Sequence, residues 1–164
     1  MRIVVLADTH MPKKAKVLPA ELIQNLEESD QILHLGDWQS LDLFDELQKF
    51  APVDGVAGNV DSEDVISRLG YQKILTFNDF RFGLVHGHQG KGPTTEDRAR
   101  NTFRDEQLDA ILFGHSHIPV LKERHNITLF NPGSPTDKRR QSHFSFGIID
   151  LSTTTTICFQ HIFF

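Results

Sequence analysis

Arg2-Ile3-Val4-Val5-Leu6-Ala7-Asp8-Thr9-His10 is the stretch from which the rest of the chain can be read. Its apolar, β-branched run Arg2–Ala7 reads as a buried strand, and it stops abruptly on an acid, a hydroxyl and an imidazole. The same grammar continues outward. Pro19–Glu28 carries Leu22, Ile23 and Leu26 at helical spacing and leads into a second strand, Gln31–Leu35. A helix capped by Ser40 runs through Phe50 with one apolar face made of Leu43, Phe44, Leu47 and Phe50. Val53–Ala57 is a third strand, and a short helix starting at Asp61 or Ser62 ends at Gly70. Strand alternating with helix predicts right-handed βαβ units and a mainly parallel sheet.

After Gly70 the rhythm changes. Tyr71–Phe77 and Phe80–Val85 flank Asn78-Asp79 as a hairpin, and a helix from Thr95 to about Glu106 leads into strand Leu108–Phe113. Val120–Arg124, Ile127–Phe130, Phe144–Leu151 and Thr155–Ile162 follow as short strands, and Thr153–Thr156 reads as an edge strand or turn. The expected fold class is therefore α/β: two sheets packed face to face with helices outside, in one domain over residues 1–164.

Composition narrows the function. The 164 residues are 38% hydrophobic and 24% charged, which suits one globular domain and excludes disorder. A net charge of −5, from 17 basic and 22 acidic side chains, argues against binding long nucleic acid. No apolar run approaches the roughly 20 residues that span a bilayer. One cysteine, Cys158, and an N-terminus that meets Asp8 too early for a signal peptide set the expectation of a cytoplasmic protein.

Nine histidines are many for this length, and several sit beside Asp or Gly. Five polar motifs each follow a predicted strand: Asp8-Thr9-His10, Gly36-Asp37, Gly58-Asn59, His86-Gly87-His88 and Gly114-His115-Ser116-His117. The carboxyl ends of strands are where ligands bind in α/β sheets, so five such ends delivering Asp, Asn and His predict a metal site. Imidazole mixed with carboxylate and amide oxygen suits Mn²⁺, Fe²⁺, Co²⁺, Ni²⁺ or Zn²⁺ better than Mg²⁺ or Ca²⁺. Asp8, His10, Asp37, Asn59, His86, His115 and His117 are too many ligands for one such ion and about right for two that share Asp37. A shared carboxylate holds two ions at roughly 3.5–4 Å. Two divalent cations, two carboxylates and a bridging hydroxide leave the centre near +1, able to grip a phosphate.

In this order the motifs resemble those of the calcineurin-like metallophosphoesterase superfamily. They are closest to its compact bacterial and archaeal phosphodiesterases, which share their fold with the retromer scaffold subunit. The resemblance runs from Asp8 to about Ser134. It implies a four-layer αββα sandwich, with one ion on Asp8, His10, Asp37 and His117 and a second on Asp37, Asn59, His86 and His115. It implies two divalent cations with Mn²⁺ foremost, and hydrolysis of a small phosphodiester or phosphate ester by a hydroxide bridging them. His10, Asn59 and Asp37 would be the residues nearest the chemistry. The superfamily usually follows Gly-Asn with a histidine that protonates the leaving group, whereas here the run is Gly58-Asn59-Val60-Asp61. The competing expectation is a non-catalytic scaffold of the same fold.

Other residues carry two readings each. His88 faces a ligand or substrate, or is a loop histidine; Asp61 supports a ligand or, better, caps a helix. Asn131-Pro132-Gly133-Ser134 resembles a family loop near the metals, or is a plain turn. Trp38 stacks on a ligand or covers the core edge. Lys138, Arg139 and Arg140 read as a solvated patch able to meet a phosphate. His34 and His161 read as structural. The apolar end Ile162-Phe163-Phe164 offers a surface for a homo-oligomer.

Overall fold

The structure is a computed structural model that describes residues 1–151 and 156–164. Its first sheet has the order β10-β9-β1-β2-β3, from β1 (Arg2–Leu6), β2 (Gln31–His34), β3 (Val53–Gly55), β9 (Ser145–Asp150) and β10 (Cys158–Phe163). Its second has the order β4-β5-β6-β8-β7, from β4 (Gln72–Phe77), β5 (Phe80–Val85), β6 (Ala110–Phe113), β7 (Val120–Arg124) and β8 (Ile127–Asn131). Both sheets are mixed. β1, β2 and β3 are parallel, as are β5, β6 and β8, and antiparallel strands complete each sheet.

The opening run explains the layering. Ile3 and Val5 point into an inter-sheet core with Leu33, Phe82, Leu84, Leu112 and Phe130. Val4 and Leu6 point the other way, toward α1 (Ala20–Leu26), α2 (Leu41–Leu47) and α3 (Glu63–Leu69). A strand covered on both faces must be apolar at every position, not at alternate ones. On the far side of the second sheet, Val85, Ile111, Phe113 and Leu129 pack on Ala99 of α4 (Thr95–Thr102). The result is the four-layer αββα sandwich, with three helices outside one sheet and one outside the other.

Several boundaries differ from expectation. The last long helix stops at Thr102 and not near Glu106, because Phe103 leaves helical geometry and is buried against the second sheet. Ser40 stands at the start of α2, but its hydroxyl donates to Asp42 Oδ2 and does not cap the main chain. Ser62, not Asp61, precedes the first turn of α3. The Asn78-Asp79 hairpin forms as read, with Phe77 paired to Phe80 and Asn78 at φ +53°. The expected strand start at Thr155, and residues 153–155 of the threonine run, lie outside the described residues. Among the described residues no helix is long and apolar enough to cross a membrane.

Candidate metal centre

All five motifs follow parallel strands. β1, β2 and β3 deliver Asp8, Asp37 and Asn59 from one sheet, while β5 and β6 deliver His86, His115 and His117 from the other. The third parallel strand of the second sheet, β8, delivers Asn131 and the loop to Ser134. The two sheets therefore present their carboxyl ends to one place.

Asp8, His10, Asp37, His86 and His117 converge there, all buried. His117 Nε2 lies 3.4 Å from Asp8 Oδ1, and His10 Nε2 lies 3.3 Å from His117 Nε2 and 3.6 Å from Asp37 Oδ2. His86 Nε2 is 3.3 Å from Asp37 Oδ1 and 3.9 Å from Asp8 Oδ1. Donor atoms each about 2.1 Å from one ion stand roughly 3.0–3.4 Å apart, so these separations suit shared cations. Two sets of ligand atoms cluster closely: Asp8 with His10 and His117, and Asp8 with Asp37 and His86. Both oxygens of Asp8 and Nε2 of His86 are buried without a hydrogen-bond partner among the described residues. Such orphans are costly unless a cation claims them.

The tautomers are set from behind. His86 Nδ1–H donates to Leu35 O at 2.7 Å, and His117 Nδ1–H donates to the Asp137 carbonyl. Each ring therefore aims the lone pair of Nε2 inward, the arrangement that metal-binding histidines require. The main chain is bent to match. Asp8, His10, Asp37, His115 and His117 all take positive φ, between +48° and +67°. Non-glycine residues pay for that conformation and keep it where surrounding contacts enforce it, typically at functional sites. Gly58 is required by the same crowding, since a Cβ there would lie 2.1 Å from Asp37 Oδ1.

Burial governs the charges of the ion-free centre. It pushes the Asp8 carboxyl up to about 7, against the pull of His86. Burial works in the same sense on Asp37, but the nearby His86 ring, the Val60 N–H and His10 outweigh it and hold that carboxyl well below the usual range. His117 and His115 are each pushed down to about 4, chiefly by burial. Ionised Asp37 and neutral His115 and His117 are ready to meet a cation, whereas Asp8 would release a proton on binding one.

Asn59 and His115 stand apart from this group. Asn59 is exposed, and His115 Nδ1 bonds its Oδ1 at 3.0 Å, so the two form a pair at the rim. Val60 is 44% exposed beside them, and its N–H donates to Asp37 Oδ1 at 3.1 Å. His88 is half-buried with its ring centre 5.3 Å from that of His86, and its Nδ1 finds no hydrogen-bond partner among the described residues.

Behind the ligands lies a frame that sequence reading reached only in part. Ser134 Oγ donates to Asp8 O at 2.8 Å and accepts the Asp137 N–H, so its loop is a brace and not a plain turn. Asp61 does not cap α3; its carboxylate accepts three main-chain N–H groups, from Asp37, Gln39 and Gly58. Thr136 Oγ1 donates to Thr9 O and Asn131 Nδ2 to Gly114 O, contacts of which the sequence gives no sign. Buried His34 receives the Gly36 N–H on Nδ1 and so donates from Nε2 to Thr9 Oγ1, a structural role as read. Trp38 covers the core, stacked on His34, with Nε1–H donated to Val56 O. Lys138 turns to Ser142 O, whereas exposed Arg139 lies close enough for its charge to act on His117, His10 and Asp8.

Residues 1–154 match the calcineurin-like phosphoesterase superfamily domain. The chain is 35% identical over 140 residues to a probable metallophosphoesterase of Methanothermobacter thermautotrophicus, covering 85% of this chain and 80% of that protein. Among solved structures, an archaeal phosphodiesterase superposes with a TM-score of 0.75 at 22% identity, covering all of both chains. Entamoeba histolytica Vps29 complexed with zinc superposes with a TM-score of 0.79 at 21% identity over 99% of each chain. At those identities the two structures speak for the fold alone.

Proposed function

Since this chain belongs to the calcineurin-like phosphoesterase superfamily, we propose that it is a metal-dependent phosphodiesterase acting on a small substrate. The observation that carries the proposal is the set of buried, partnerless donor atoms on Asp8 and His86 that face Asp37, His10 and His117. Asp8, His10, His117 and Asp37 would hold one divalent cation; Asp37 and His86, joined by the rim pair Asn59 and His115, would hold a second. Bound cations would neutralise phosphate charge and supply water with a pKa lowered to about 7.

The chain's own residues do the rest. Asn59, exposed at the rim, offers an amide donor to a phosphoryl oxygen, and His10 stands inside the centre beside Asp37 and His117. Both ring nitrogens of His86 and His117 are committed, one to the main chain and one to the centre, so neither moves a proton to the leaving group. Val60 has no proton to give. A leaving group must then be a stable anion, as in an aryl ester, or draw its proton from another group.

A metal-by-substrate screen on chelated and reconstituted protein tests the proposal. Aryl phosphodiester hydrolysis should be strongest with Mn²⁺, Co²⁺ or Ni²⁺ and weak with Mg²⁺ alone. Absence of turnover with every metal would favour the second reading, a scaffold, to which the fold shared with Vps29 gives its weight.

A further inference from the structure

Asp61 faces no candidate ion, yet its carboxylate lies between the loops that leave β2 and β3. Oδ2 accepts the Asp37 N–H at 2.9 Å and the Gly58 N–H at 2.6 Å, and Oδ1 accepts the Gln39 N–H at 2.7 Å. Asp37 and Gln39 have φ of +62° and +88°. Left-handed bends of this kind turn nearby N–H groups into one concavity, a nest that binds an anion. Neither residue is glycine, so the bend needs something to hold it. Trp38 anchors the middle of the loop in the core, and the Asp61 carboxylate fills the nest.

Asp37, like Asp8, faces both ligand groups, through Oδ2 toward His10 and Oδ1 toward His86. Gly58 immediately precedes Asn59. One carboxylate therefore fixes the main chain of the shared ligand and of the residue before the rim amide. We propose that Asp61 is a positioning residue that couples the two halves of the metal centre, holding Asp37 between them and tying the Asn59 loop to the Asp37 loop. The inference rests on the cation-binding part of the proposed function.

Asp61→Asn keeps the size but replaces one acceptor oxygen with a donor, which must then face a main-chain N–H. Calorimetric titration of Mn²⁺ into chelated native protein, Asp61→Asn, and Asp61→Asn combined with Gln39→Gly gives the test. We expect Asp61→Asn to weaken Mn²⁺ binding about 10–100-fold, and to lower kcat on an aryl phosphodiester more than it changes KM. Gln39→Gly should return part of the lost affinity, since glycine holds the bend unaided. A residue that only starts α3 would lower the melting temperature and leave Mn²⁺ affinity unchanged, with no rescue; that result overturns the inference. Native protein that takes up no Mn²⁺ overturns the cation-binding reading and this inference with it. Hydrogen exchange on native, metal-free protein decides the matter even where the variant fails to fold. The amides of Asp37, Gln39 and Gly58 should be protected, and exchange at exposed-loop rates would refute the role.

Discussion

The buried and exposed halves of the centre are built on different rules. Asp8, His10, Asp37, His86 and His117 sit under the carboxyl ends of both sheets, and His86 and His117 are oriented by main-chain carbonyls. Asn59 and His115 are tied to each other by a hydrogen bond, at a rim that also exposes Val60. The contrast divides the labour. On the proposed reading, burial and fixed tautomers would build affinity for ions before any ion arrives, while an open rim would admit a phosphate ester.

The largest expected effect comes from Asp37, which faces His10 through one oxygen and His86 through the other. Asp37→Ala should reduce hydrolysis by about 10³-fold or more, further than any other single ligand change, because both ligand groups lose an oxygen. A full kinetic series over the seven ligand positions checks this. A larger loss at another position would break the picture of Asp37 as the shared group.

The next effect separates the halves directly. Asn59→Ala should cost about 10²-fold in kcat while Mn²⁺ affinity of the buried group stays near native. His117→Ala should weaken that affinity as well as the rate. Equal losses of affinity in both variants, read by calorimetry, would show that rim and interior are one unit.

Val60→His sharpens the account of the rim. A positioned general acid contributes about 10²–10⁴-fold to a reaction that needs one. Val60→His should leave aryl diesters almost unchanged and speed alkyl esters by about tenfold or more, flattening a steep leaving-group dependence. If the native dependence is shallow and steepens only in His88→Ala, then His88 already supplies the proton.

The smallest effect is electrostatic and belongs to the interior. With Asp8 raised from 3.8 to about 7, its contribution to stability is complete below pH 4 and lost as pH rises through 7. His86, raised by Asp37, acts in the same direction, whereas the depressed Asp37 loses stability only in stronger acid. His115 and His117, lowered by burial, titrate the other way between pH 5 and 7, so the Asp8 share is read against Asp8→Asn. Without metal, the native melting temperature should fall by a few degrees relative to that variant from pH 5 to pH 8. A native-minus-variant difference in chelator that rises across this window would contradict the charge assigned to Asp8.

The candidate ligands and the frame that holds them were not equally legible in the sequence. Five apolar runs each ending in Asp, Asn or His pointed to the candidate ligands of interior and rim alike, because strand periodicity and residue type are local properties. The sandwich followed from the same runs, with strand ends displaced by a residue or so. What holds the ligands was harder to read. The brace from Thr136 to Thr9 spans 127 positions and joins a hydroxyl to a carbonyl, which leaves no pattern. Asp61 suggested a helix cap because an acid before a helix usually is one. Only the left-handed bends at Asp37 and Gln39, invisible in residue type, turned its carboxylate the other way.

Titration of Mn²⁺ into chelated protein, following bound metal per chain and aryl phosphodiester hydrolysis in the same samples, tests the central claim most directly. The account predicts that activity reaches its plateau only as the second ion per chain binds. A plateau at one ion per chain, or two bound ions with no turnover, would contradict it.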